Sequence, residues 1–131
     1  MKIVRWFGLA MACLASFLGS PAVAANWIYV TTSDSGTVAY YDLDSIRREG
    51  TDVTVWEKLD LSQVKSTKIR ERKSLSRYDC LGRTYTLISS VSYFGDGTTR
   101  AFDFKPYEQE EGNITPESIG EAQMQAVCRA Q

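Results

Sequence analysis

Lys2 and Arg5 stand ahead of an apolar run from Trp6 to Leu18, which Gly19, Ser20 and Pro21 break before Ala22-Val23-Ala24-Ala25. This order of charge, apolar stretch and small residues is the layout of a secretory signal peptide with an Ala-x-Ala cleavage site. Cleavage after Ala24 or Ala25 takes Cys13 out of the three cysteines and leaves Cys80 and Cys128. An even pair in an exported chain reads as one disulfide. Residues 1–25 are therefore expected to be removed, and residues 26–131 to fold as one small exported domain with a single cross-link. The other readings of the leader fit less well. A membrane anchor needs about 20 apolar residues, more than this run offers. Lipidation at Cys13 calls for a leucine-like residue where Ala10 stands, and for an apolar run that is complete by the cysteine.

A domain of about a hundred residues has room for one core and no second domain. Losing Lys2 and Arg5 with no acid moves the formal charge from -1 to -3. That weak acidic excess predicts no nucleic-acid partner, because binding phosphate needs a basic face. The chain has no histidine. Histidine is the one side chain whose ordinary pKa lies near neutrality, so the residues point away from an enzyme. With both remaining cysteines paired, thiolate nucleophiles and Cys/His metal sites are excluded as well, and neither a metal nor a cofactor is expected. Asp42 with Asp44, and Glu110 with Glu111, fit no calcium-loop spacing and read as solvated turn charges.

From Trp27 the residues suit strands, with Ser33-Asp34-Ser35-Gly36 as a turn and Thr37 to Tyr41 as the return. Asp42 to Gly50 reads as a helical turn or loop in which Leu43 and Ile46 tuck inward. Thr51 to Leu61 alternates, with Val53, Val55, Leu59 and Leu61 on one side; Glu57 interrupts the apolar side and Trp56 the polar one. Ser62 to Thr67 reads as a loop and Lys68 to Tyr78 as a charged strand. Arg83 to Phe94 alternates Tyr85, Leu87, Val91 and Tyr93 against Thr84, Thr86, Ser90 and Ser92. Gly95-Asp96-Gly97 signals a hairpin to Thr98–Phe104, which Pro106 ends.

After a polar loop from Tyr107 to Asn113 the period lengthens. Thr115 as N-cap, Pro116 at the first helical position and Glu117 in the first turn predict an amphipathic helix burying Ile119, Ala122, Ala126 and Val127. The fold class is α+β: an antiparallel sheet of five to six strands with a C-terminal helix packed on one face. Cys80 lies between two long strands and Cys128 near the helix end, so their bridge would staple helix to sheet. A redox-active pair would instead show close Cys-x-x-Cys spacing.

Several pieces in this order resemble the surface-adhesin protein E family. They are Trp27, Tyr40-Tyr41-Asp42, Ser45-Ile46, Gly50, Val55-Trp56, Lys73-Ser74, Tyr78-Asp79-Cys80, Ile114 to Glu121, and Val127-Cys128. The resemblance spans nearly all of the exported part. It implies a Gram-negative bacterial protein, a small antiparallel sheet with a C-terminal helix, and adhesion to host matrix or serum proteins. The alternative is a periplasmic structural or envelope-stress module that pairs through a sheet edge.

Lys68, Arg70, Arg72 and Lys73 are the candidate residues for an anionic partner. On an unbroken strand Lys68, Arg70 and Arg72 share one side, with Lys73 and Arg77 on the other. The plainer reading is a charged edge strand that discourages aggregation. Asn113-Ile114-Thr115 is a formal glycosylation sequon, although Thr115 reads better as a helix cap. Trp56 either packs beneath the helix or marks a partner surface. A protein partner is expected, with no nucleic acid and no integral membrane segment once the leader is gone; a homodimer is compatible. The chain is expected in the periplasm or at the cell surface.

Overall fold

A computed structural model describes residues 24–130. The expectations for the leader run and for Cys13 lie outside these residues. Six strands form the sheet in the order β1 (Trp27–Thr32), β2 (Val38–Asp42), β4 (Asp52–Asp60), β5 (Ile69–Asp79), β6 (Thr84–Phe94) and β7 (Thr99–Asp103), all antiparallel. Two three-residue strands complete it: β3 (Arg47–Glu49) pairs with β4, and β8 (Glu111–Asn113) with β6. The sheet therefore has eight strands rather than five or six, because three-residue segments carry too little periodicity to stand out from loops. They lie within the segments read as the Asp42–Gly50 loop and the Tyr107–Asn113 loop. A 3-10 turn at Leu43–Ser45 sets Leu43 and Ile46 against the core, as their spacing anticipates.

Turn chemistry fixes the connections. Gly50 sits at φ 60° between β3 and β4, and Gly97 at φ 85° in the β6–β7 hairpin, a backbone region that penalises residues with a Cβ. Asp96 closes the hairpin by accepting from the Thr98 amide at 2.9 Å and its hydroxyl at 2.6 Å.

The helix α1 (Ile119–Arg129) starts later than the sequence suggests. Glu117 takes φ 58°, outside helical space, and Ser118 is the N-cap, its hydroxyl accepting from the Glu121 amide at 3.2 Å. Thr115 is not the cap; its carbonyl accepts from the Ser118 hydroxyl at 2.7 Å. The spacing Ser118-x-x-Glu121 outcompetes Thr115-Pro116-Glu117 because the Glu121 carboxylate folds back onto the Glu117 amide at 2.7 Å. At the other end Arg48 of β3 donates to the carbonyls of Val127 and Ala130, placing a cation on the negative end of the helix.

The helix packs on β1, β2 and β4. Beneath it Tyr41, Val53, Val55, Tyr78, Met124 and Val127 make the core, with Ile28, Val30, Leu43, Ile46 and both disulfide cysteines against it. Cys80 and Cys128 are bonded, 48 residues apart in sequence. The bridge joins the β5–β6 connection to the last turn of the helix, as expected.

Candidate functional site

Two bulges decide which side chains share a face. Ser76 pairs with Leu87 while Leu75 pairs with Ser89, so Ile88 is an extra residue in β6. One inserted residue inverts the alternation beyond it. Tyr85 and Leu87 therefore lie on the same face as Ser90 and Ser92, whereas Val91 and Tyr93 go to the opposite face. The unbroken alternation expected for Arg83–Phe94 does not hold. A second bulge, between Ile69 and Glu71, isolates Arg70 at the start of β5.

The face away from the helix gathers aromatics and lysines. The Lys58 ammonium stands over the Trp27 ring at 4.8 Å and over the Tyr40 ring at 4.5 Å, and Lys73 over Tyr93 at 5.2 Å. Tyr29, 58% exposed, meets Tyr40 edge-on with ring centroids 6.1 Å apart. Trp27, Trp56, Val91 and Tyr93, with Asp42 and Lys73, enclose a depression of about 310 Å³. Trp56 thus does not pack beneath the helix; it belongs to this open face. Such contacts between cations and rings hold lysine heads in place at a surface and give aromatic groups the mixed character that interfaces favour.

The helix-side face is only half covered. Beyond the core, an open groove of about 510 Å³ runs over β5 and β6 between the helix and β7. Its floor is polar: Glu57, Arg72, Ser74, Ser76, Ser90 and Ser92. Leu59, Leu87, Phe102, Phe104 and Ile119 form the apolar walls. The Tyr78 hydroxyl donates to Glu57 Oε1 at 2.5 Å, and Arg72 Nε donates to Ser92 Oγ at 3.2 Å. Burial raises the Glu57 carboxyl to about 7, against the opposite pull of hydrogen bonds from Tyr78 and Ser76. Burial, with the neighbouring Glu57 charge, pushes the Tyr78 phenol above its ordinary range. This concave site has one carboxyl rather than a pair, and its tyrosine is made a weaker acid, so the geometry suits holding a ligand better than activating a nucleophile.

The four candidate cations do not form one site. Arg72 lies in the groove. Lys73 is on the outer face, 3.3 Å from Glu71. Lys68 and Arg70 line a shallow depression beside Phe94, Gly95 and Asp96, where Arg70 donates to the Ser62 and Thr67 carbonyls. Nor is their strand an edge: β5 sits between β4 and β6. Its charges are tolerated there because each face of β5 is open over part of its length. Among the residues missed by sequence reasoning are Gln123, on the helix above the groove, and the serines of the floor. Ser90 and Ser92 look like the solvated side of a strand, and only the bulge at Ile88 turns them inward.

Among the described residues no cluster of three or more histidine, cysteine, aspartate or glutamate side chains forms a metal site. No helix among them is long and apolar enough to cross a membrane.

The same fold occurs in solved structures of protein E from Haemophilus influenzae. Crystal form II matches with a TM-score of 0.56 at 16% identity, covering 81% of this chain and 89% of that one. A second structure gives 0.54 at 17% identity, covering 81% and 86%. Protein E from a non-typeable strain gives 0.52 at 16% identity, covering 83% and 79%. At these identities the likeness is one of fold. No curated protein matches the chain significantly. Residues 27–129 match the family description of surface-adhesin protein E, and the chain belongs to that family.

Proposed function

We propose that this is an exported, non-enzymatic binding protein that adheres to host matrix or serum proteins through the outer face of its sheet. Membership of a surface-adhesin family supports the adhesive role. The observation that carries the reading is the uncovered face on which Trp27, Tyr40, Trp56 and Tyr93 surround Lys58 and Lys73. Aromatic anchors supply most of the energy at protein interfaces, and lysines held over rings favour an acidic partner surface. Lys73 belongs directly to that surface, Lys68 and Arg70 add positive charge at the start of β5, and Arg72 points into the groove instead. Glycine and alanine could not serve here; rigid rings with few torsions lose little entropy on docking.

The test uses the mature protein against an immobilised panel of matrix and serum proteins. Lys58→Glu with Lys73→Glu reverses the charge without touching the core. Binding by the wild type that falls at least about tenfold in the double variant is expected. Undiminished binding by a folded double variant would refute the outer face as the adhesive surface.

One observation favours a second reading. All five residues of β7 are exposed, and its outer edge offers unpaired backbone groups. An envelope protein could add a strand there, which would make the chain a periplasmic module with no adhesive role.

A further inference from the structure

We propose that the groove on the helix-side face is a binding site for a small amphipathic organic anion, separate from the adhesive face. The groove has the volume of an ordinary small-molecule site and its mixture of apolar walls with a few converging polar groups. Two of those groups have binding capacity that the fold leaves unused. Gln123 is only 6% exposed and its amide nitrogen has no hydrogen-bond partner; it shares that state with one other buried side-chain atom among the described residues, Thr84 Oγ1. Leaving a buried donor unpaired is costly, and a ligand oxygen in the groove would satisfy it. Arg72 bonds Ser92 through Nε alone, and among the described residues no carboxylate lies within ion-pair distance of it. Its terminal nitrogens are thus available for a carboxylate or sulfonate, which the guanidinium fork grips in two places.

The two groups set the ligand's shape. Arg72 and Ser92 lie toward one end of the groove, and Gln123, Gly120 and Ile119 at the end beneath the helix. Between them run Leu87, Phe102 and Phe104, with Leu59 beside Arg72. The ligand is therefore an apolar body with an anionic group at one end and a hydrogen-bond acceptor toward the other. Glu57 does not repel it at mildly acidic pH, where burial keeps that carboxyl protonated and able to donate through its second oxygen.

Gly120 offers a clean way to test this. A Cβ built there meets only Ser118 Oγ, at 3.5 Å, so the space above it is open. Gly120→Leu would put a side chain into the groove while improving helix propensity. The probe is anilinonaphthalene sulfonate, an aromatic body with one sulfonate, titrated into the mature protein and followed by its fluorescence. Saturable binding of one dye per chain is expected. Gly120→Leu should abolish it, and Arg72→Gln should weaken it at least about tenfold. Lys58→Glu with Lys73→Glu should leave it unchanged. Circular dichroism and the thermal midpoint establish that each variant is folded. Absence of saturable binding, equal binding by folded Gly120→Leu, or loss of binding only in the lysine variant would overturn the proposal. None of these outcomes depends on whether the outer face binds host proteins.

Discussion

The two faces of this sheet are built from opposite materials. The outer face carries rings and lysines and is left open, whereas the helix-side face carries valines under α1 and serines, Glu57 and Arg72 where the helix stops. Apolar character and burial therefore part company. Trp27 and Trp56 are larger than any valine of the core, yet Val53, Val55 and Val127 are the largest fully enclosed side chains among the described residues. Cover decides burial, and one helix of 11 residues is too short to cover a sheet six strands wide. What is left uncovered on each side is the surface on which the two proposals place a partner.

On this division stability resides beneath the helix, and binding on the surfaces that the helix leaves uncovered. The largest effect on stability should come from the bridge between helix and sheet. Replacing both Cys80 and Cys128 by serine releases a loop closed across 48 residues and should cost about 4 kcal/mol. In a domain of this size that lowers the midpoint by roughly 15–30 °C, read by calorimetry. An unchanged midpoint would mean that the core alone fastens the helix.

Glu57 comes next, and its effect depends on pH. A carboxyl raised in the fold from 4.5 to about 7 binds its proton more tightly folded than unfolded. Stability from this source is complete below about pH 4.5, declines as pH rises through about 7, and is absent above it. The loss amounts to roughly 2–4 kcal/mol. Glu57→Gln keeps an acceptor for the Tyr78 hydroxyl without a charge, so its denaturation midpoint should rise above wild type at pH 8 and converge with it near pH 4. Parallel pH profiles for the two proteins would show that Glu57 is not held in a proton-favouring site.

Smaller differences sharpen the contrast between covered and uncovered positions. Val127→Ala, beneath the helix, should cost about 2 kcal/mol in denaturant unfolding. Ser118→Ala removes the helix cap and should cost about 1 kcal/mol. Lys58→Glu with Lys73→Glu should change stability by less than about 1 kcal/mol, because these half-buried lysines stay in reach of solvent. A lysine variant that destabilised as much as Val127→Ala would mean that the outer face is structural rather than adhesive.

Much of the fold is legible in the residues. Period-two alternation marks β4, Asp-Gly marks the β6–β7 hairpin, and the change to a longer period marks the helix, since each depends on local chemistry. The cysteine count leads directly to the bridge. The candidate site is less legible because it depends on parity and cover. A single extra residue at Ile88 moves Ser90 and Ser92 to the inner face, and no composition rule announces it. Glu57 and Trp56 are the exceptions worth reading: each breaks its strand's pattern, and each lines a concavity, Glu57 as a buried residue of the groove floor and Trp56 in the outer depression.

Adhesion by the outer face requires that the mature chain be displayed outside the cell. The direct measurement is protease shaving of intact bacteria of the native host, followed by immunoblotting of cell fractions. Loss of the mature chain from intact cells is the predicted result. Full protection, with release of the chain by osmotic shock, would place it in the periplasm and contradict the adhesive role.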